Sequence, residues 1–355
     1  MTRWWLAGLE ARHRSAQLAR GRAGRSLAAG VASFALLQAA VLLGLELAPP
    51  GFTDPEYAIR SRVARALIAE HPGWPVTVAL GTSRTEMGLA PAEAAHGLPV
   101  LIFNFAQQGA GPAQQLVCLQ RLLAEGFRPR LVLIEVLPSH YNRDTEILPT
   151  DRLDLFDERD LQLLRRYAPP DVPLQRCWWP DRLVPAYTFR GDLLRALSPA
   201  WVASRPEHRT WEGFDRYGWQ PSSSTVTPAE QRQYTQRAWQ AHGRALRPFR
   251  VKALPDRLLH DLVAAVHAAG AVPVLYLMPE GSEFRSWYAG EPDQALMHYI
   301  SQFAAQDAVA LVDARTWMND RDFSDSHHLL RPAAEAFSRR FGEEVILPRL
   351  TVPAR

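Results

Sequence analysis

Residues 76–89 read VTVALGTSRTEMGL. The segment Val76 to Leu80 is an apolar run rich in β-branched side chains that stops at Gly81. That pattern belongs to the first buried strand of a parallel sheet rather than to a helix. A polar elbow follows, with Ser83 at its tip, and then a helical turn. In open α/β sheets, ligands gather where strand C-termini meet helix N-termini, because unpaired backbone N–H groups collect there. Ser83 stands where a nucleophile would be useful. Capping the next helix is the commonest role for Thr82 or Ser83, and this stretch alone favours the cap; the residues that change the balance lie far downstream.

Four further runs have strand character: Pro99 to Phe105 (PVLIFNF), Leu131 to Leu137 (LVLIEVL), Val272 to Met278 (VPVLYLM) and Ala308 to Val312 (AVALV). Helical spacing lies between or beside them, over 55–70, 112–125, 256–269, 291–305 and 332–344. Strands alternating with helices predict a parallel sheet with crossover connections. The expected fold is a flavodoxin-like three-layer α/β/α sandwich of about five parallel strands. Residues 139–255 break the alternation and are rich in Pro, Trp and Arg. They read as a large insertion of short helices and loops after the third strand. Its tryptophans (Trp178, Trp179, Trp201, Trp211, Trp219) either stack on sugar rings or line an acyl slot, or they form the insertion's own core.

A chain of 355 residues with 47% hydrophobic and 22% charged residues can bury a sizeable core. The pI near 9.0 comes from one end. Residues 1–26 carry Arg3, Arg12, Arg14, Arg20, Arg22 and Arg25 against Glu10, about +5, which leaves about −2 for the rest of a chain of net charge +3. The folded part is therefore not basic, and nothing points to nucleic acid. Leu27 to Leu45 is uncharged, with Gln38 its single amide. At 1.5 Å per residue it crosses roughly 30 Å of hydrocarbon. A cleaved signal peptide and a buried core helix compete with a membrane anchor, but the long charged region, the long apolar run and Pro49-Pro50 favour an uncleaved anchor. The arginines before it place the N-terminus inside. The expected organisation is a basic cytoplasmic tail (1–26), a transmembrane anchor (27–47, Leu27 to Leu47) in the cytoplasmic membrane, and one periplasmic or extracellular domain (48–355).

The two cysteines, Cys118 and Cys177, give no pairing from spacing alone. No zinc-ligand spacing occurs, and neither a metal nor a cofactor is expected. Gly109-Ala110-Gly111 resembles the start of a dinucleotide fingerprint, but Gln114 stands where the third glycine belongs.

Between the last strand and the last helix, residues 322–337 read DFSDSHHLLRPAAEAF. Asp325 and His328 are three apart in a polar turn, a spacing that lets a carboxylate reach Nδ1 while Nε2 faces outward. Such an aspartate fixes the tautomer and stabilises the imidazolium formed when histidine takes a proton. With Ser83, the set supplies nucleophile, base and orienter. His327 is an alternative base, and a histidine near a helix start is also a common cap.

Gly81-Thr82-Ser83 after the first strand, a glycine after the second, and Asp325-Ser326-His327-His328-Leu329 with Pro332, Ala333 and Phe337 behind it resemble the SGNH, or GDSL, esterase and acyltransferase superfamily. With one N-terminal anchor and a large insertion, the chain looks most similar to its membrane-tethered branch, which includes alginate O-acetylation proteins and the D-alanine transfer protein of teichoic acid synthesis. The resemblance implies Ser83 as nucleophile, His328 as general base and then acid, and Asp325 as its partner. It also implies an oxyanion hole from the N–H groups of Ser83 and Gly109. The family's third block, Gly-x-Asn-Asp, is absent: Glu135-Val136-Leu137-Pro138 stands there. One oxyanion donor is then missing or comes from Asn104 or Gln107. Arg84 either holds an anionic substrate group or pairs with Glu86 or Glu135; Arg84 and Gln107 are the candidate substrate-binding residues.

The expected function is acyl transfer or hydrolysis, of O-acetyl above all, on a cell-envelope glycan. By the same resemblance, a membrane-bound acyltransferase passes acyl groups to this domain. The alternative is an idle scaffold or glycan-binding subunit of an envelope assembly.

Overall fold

Each of the five apolar runs forms a strand: β1 Val76–Leu80, β2 Leu101–Asn104, β3 Leu131–Glu135, β4 Val272–Leu277 and β5 Ala310–Asp313. The computed structural model describes residues 23–44, 54–142, 153, 155–169, 174–197, 213–247 and 249–351. All strand pairs are parallel, in the order β2-β1-β3-β4-β5. Strands β1, β2 and β3 are buried throughout, as parallel strands covered on both faces must be. From β1 the chain turns one way to β2 and then crosses to β3 on the other side. The crevice of such a sheet opens at that reversal, between the ends of β1 and β3. Gly81 to Ser83 lie at one of those ends and Glu135 at the other.

Side chains alternate across the pleat. Leu131, Leu133, Val274 and Tyr276 share a core with Phe337, Phe341, Val345 and Ile346 from the end of the chain. Val132, Ile134 and Leu275 face the other layer, where helices Pro112–Ala124 and Ala253–Ala268 pack together. Pro112 opens the first of these helices, and Gln114 Oε1 accepts the Gly111 N–H at 2.9 Å, which explains the glutamine in the would-be glycine position. The helix Arg331–Phe341 continues as a π-turn over Gly342–Ile346 and a final helical turn over Leu347–Thr351. Gly342 packs so tightly on Ala94 that a Cβ would lie 2.1 Å from the Ala94 carbonyl oxygen.

The described part of the insertion contains helices Glu158–Arg165, Leu174–Leu183, Pro185–Thr188, Arg190–Leu197 and Pro228–Ala238, followed by a π-turn over Trp239–Gly243. The turn at 213–220 is pinned to β2. Asn104 N–H donates to Tyr217 O at 2.8 Å, and at Gly218 (φ +86°) any Cβ would sit 2.3 Å from Asn104 O. Trp219 is buried and donates its indole N–H to Met87 O at 2.8 Å, so this tryptophan is core. Trp178 is buried, Trp179 and Trp239 are exposed, and Trp201 and Trp211 lie outside the described residues.

Contacts group the chain into two units. One contains the helix Ala23–Gly44 and the Trp178–Leu197 part of the insertion; the other contains the sheet and the remainder. Ala23–Gly44 is a helix long and apolar enough to cross a membrane. Most of the expected basic tail (1–22) and the end of the expected span (45–47) lie outside the described residues.

Candidate active site

The elbow after β1 is shaped by Glu135 at the end of β3. Its Oε2 accepts the Thr82 N–H at 2.6 Å and the Thr85 hydroxyl at 2.7 Å, while Thr85 Oγ1 and Tyr276 Oη are 2.6 Å apart. Gly81 leaves room for that carboxylate: a Cβ there would lie 2.4 Å from Glu135 Oε2. Thr82 is the cap of the helix Ser83–Gly88, its Oγ1 accepting the Arg84 N–H at 3.2 Å. The Ser83 hydroxyl is thereby spared, and its Oγ lies 2.8 Å from His328 Nε2.

The loop after β5 supplies the other two groups. An antiparallel bridge between Phe323 and Leu329 closes it, with Ser324 N–H donating to His328 O at 2.9 Å. Inside it, Asp325 Oδ1 accepts the His328 N–H at 2.7 Å and the His327 N–H at 3.2 Å, and Oδ2 lies 2.7 Å from His328 Nδ1. With Nδ1 protonated toward the carboxylate, Nε2 is left to accept the Ser83 hydroxyl. Ser326 holds φ +70° at the loop tip, a left-handed conformation that costs a residue with a Cβ of order 1–3 kcal/mol and persists where the surroundings impose it. Gly281 N–H fixes it by donating to Ser326 O at 2.8 Å.

Burial alone would raise the Asp325 carboxyl; His328 and His327 facing it, and their hydrogen bonds, hold it far below the usual carboxylate range. His327 is buried, stacked on Phe284 at 5.3 Å between ring centroids. Burial, then the neighbouring His328, lower it to about 4 against the pull of Asp325, and its described hydrogen bonds go to Asp325. Of the two histidines, only His328 reaches Ser83 among the described residues. Asp325, His327 and His328 also bring ligand atoms within 4.8 Å of one another, but both ring nitrogens of His328 are engaged by Asp325 and Ser83.

Two candidate roles are corrected. Of the alternatives for Arg84, the structure shows ion pairing and not a group open to a ligand. The side chain is 1% exposed and points beneath the elbow, donating to Glu280 Oε1 at 3.2 Å and to the carbonyls of Met278 and Pro279 at 2.9 and 3.1 Å. Glu135 Oε1 lies 3.8 Å from its Nε, whereas Glu86 pairs with Arg60 at 2.7 Å. Asn104 is not a spare oxyanion donor. It is fully buried; its amide donates to Thr85 O and Leu89 O at 2.8 and 2.9 Å, and its Oδ1 accepts the Ala106 N–H. The amide is consumed in tying the Ser83 helix to β2. Gln107 is half-buried, donates its N–H to Gly81 O at 3.1 Å and lines a small cavity with Tyr57, Cys118 and Arg121. Gly109 stands exposed in the loop after β2 with φ +71°.

The sequence offered Glu135 only as a partner for Arg84, not as the acceptor that shapes the elbow. Two further supporting residues, Glu280 and His242, escape a reading of the sequence. Burial raises the Glu280 carboxyl against the pull of Arg84; its other oxygen accepts the Tyr288 hydroxyl at 2.5 Å. His242, from the insertion, lies 5.3 Å from His327 between ring centroids, and its Nδ1 is 2.9 Å from Ser139 Oγ just beyond β3. Nothing in its local sequence marks it.

No protein-family model matches the chain, and no curated protein matches it. Among solved structures, the chain is similar to one titled "Crystal Structure of TesA", with 16% identity over 78% of this chain and 98% of that one, at a TM-score of 0.36.

Proposed function

We propose that the chain is a membrane-anchored serine esterase or acyltransferase that works through an acyl-enzyme on O-acetyl groups of a cell-envelope glycan. The observation that carries the reading is the unbroken line Ser83 Oγ, His328 Nε2, His328 Nδ1, Asp325 Oδ2, with contacts of 2.8 and 2.7 Å at the two ends. Ser83 Oγ attacks the acyl carbonyl carbon as its proton passes to Nε2. Asp325 stabilises the imidazolium, which then protonates the leaving oxygen as the ester bond breaks. Water or a sugar hydroxyl reverses these steps and frees Ser83. The negative oxygen of the intermediate needs preorganised donors. The Ser83 and Gly109 N–H groups are assigned to it, and neither donates a hydrogen bond among the described residues.

Three observations support the finer parts. A chain of ring contacts runs from His328 through His327, Phe284 and Trp287 to the exposed Trp239, and an exposed indole is a surface on which a sugar stacks. The helix Ala23–Gly44, preceded by arginines, supports a cytoplasmic-membrane anchor with the catalytic unit outside. The SGNH-like motifs resemble those of the tethered branch, in which a membrane-bound acyltransferase would be the acyl donor.

The scaffold reading keeps one observation in its favour: the third-block asparagine is absent and Asn104 is consumed elsewhere, and a lost oxyanion donor costs roughly 10²- to 10³-fold in rate. The test is the full chain in detergent, exposed to a fluorophosphonate and to p-nitrophenyl acetate beside Ser83→Ala. Labelling and turnover confined to the wild type carry the enzyme reading. A folded wild type that neither labels nor turns over leaves the scaffold.

A further inference from the structure

Gln38 is the one amide in the apolar run of the N-terminal helix, and it is buried, 7% exposed, in a helix whose residues are otherwise exposed apart from its partly covered Val41 and Leu42. Its Oε1 accepts the Ala186 N–H at 3.1 Å, at the first turn of the short helix Pro185–Thr188. Val41 and Leu42 are also partly covered; 38, 41 and 42 share one helix face. A polar group inside hydrocarbon needs such a partner, since leaving it unsatisfied costs several kcal/mol.

The segment that supplies the partner is apolar outward. Trp179, Leu183, Val184, Tyr187 and Leu194 are all exposed, Leu183 and Tyr187 to 64% and 66%. The Arg190 guanidinium lies 4.2 Å over the Tyr187 ring and donates to Tyr187 O, the posture of an arginine that keeps its charge at the water boundary while its stem stays in an apolar layer. Tryptophan and tyrosine concentrate at that boundary.

We infer that residues 179–194, from the end of the helix Leu174–Leu183 through Pro185–Thr188 into Arg190–Leu197, form a second membrane element, lying in the outer interface of the bilayer beside the N-terminal span and locked to it through Gln38. The inference rests on the reading of Ala23–Gly44 as a membrane span. Its occupant is lipid: the exposed residues continue outward from a helix that itself needs hydrocarbon around it.

The test uses the full chain with Cys177→Ser, the buried Cys118 retained, in vesicles of phosphatidylcholine and phosphatidylglycerol. Nitroxide labels go on Leu183→Cys or Tyr187→Cys, with Phe34→Cys in the span and Arg232→Cys on the exposed Pro228–Ala238 helix as references. Oxygen should relax the labels at 183 and 187 more than a water-soluble nickel chelate does, as at 34 and opposite to 232. Labels at 183 and 187 that follow 232 while 34 stays in lipid would overturn the inference and leave the anchor standing. Exclusion of both reagents at 183 and 187 would also overturn it, in favour of a second protein surface. A label at 34 open to nickel would remove the anchor and this inference together.

Discussion

Glu135 at the end of β3 accepts the Thr82 backbone N–H at 2.6 Å, so the third strand holds the elbow that presents Ser83. The same carboxylate accepts from Thr82 Oγ1 and Thr85 Oγ1 and stands near Arg84. In Glu135→Gln an amide would set its own donor against these donors or leave them half-paired. Leaving buried polar groups unpaired costs about 1–3 kcal/mol each, so we expect an unfolding free energy lower by about 2–4 kcal/mol in urea titrations. Ester turnover should fall with it, because the displaced elbow carries Ser83.

Arg84 braces the elbow from below through Glu280 and two carbonyls of the loop after β4. That loop also holds Ser326 through Gly281. Arg84→Lys keeps a charge but cannot span these acceptors with a planar fork. The expected result is a lower kcat with KM for a small ester unchanged. A rise in KM alone would return Arg84 to the substrate.

His328 and His327 should separate cleanly. His328→Phe removes the proposed base, and fluorophosphonate labelling should fall to the level of Ser83→Ala. His327→Phe replaces a buried neutral ring with another and should retain labelling to within about tenfold. Asp325→Asn keeps an acceptor for the backbone N–H groups but favours the wrong tautomer, for which a kcat loss of about 10⁴ is the precedent. If His327→Phe instead abolishes labelling and His328→Phe does not, the assignment of the base is reversed.

Glu86 gives a pH signature of stability. Burial pushes its carboxyl from 4.5 up to about 7 against the pull of Arg60, with Glu56 adding to the rise. Between those values the folded chain holds a proton that the unfolded chain has released. Stability from this group is therefore complete below about pH 4.5 and is lost as pH rises through about 7. Glu86→Gln should flatten that slope, the difference between variant and wild-type unfolding free energies changing by about 3 kcal/mol across the window. Urea midpoints at pH 5 and pH 8 measure it.

Trp239 lies at the far end of the ring chain that starts at His328. Trp239→Ala should leave p-nitrophenyl acetate turnover within about twofold and weaken use of an acetylated oligosaccharide by roughly tenfold, the scale of one lost ring-stacking contact. Equal effects on both substrates would argue for a structural role alone.

What the sequence determined by itself is local. Apolar runs of strand length ended by Gly81 and Pro138, helices opened by Pro55 and Pro112, and one long uncharged segment are written in neighbouring residues. The parallel five-strand sheet follows from their alternation. The contact between Asp325 and His328 is of the same kind, three residues apart in one turn. The tertiary structure decided what joins distant positions. Ser83 and His328 are 245 residues apart, and only the order of β1, β3, β4 and β5 in one sheet brings their loops to a common edge. Arg84 and Asn104 look like groups available to a ligand until packing turns each inward, because a buried guanidinium or amide is held by whatever acceptors surround it. Glu135, Glu280 and His242 acquire their places in the same way. Their partners come from other strands and from the insertion, and no spacing along the chain encodes a meeting made across the sheet.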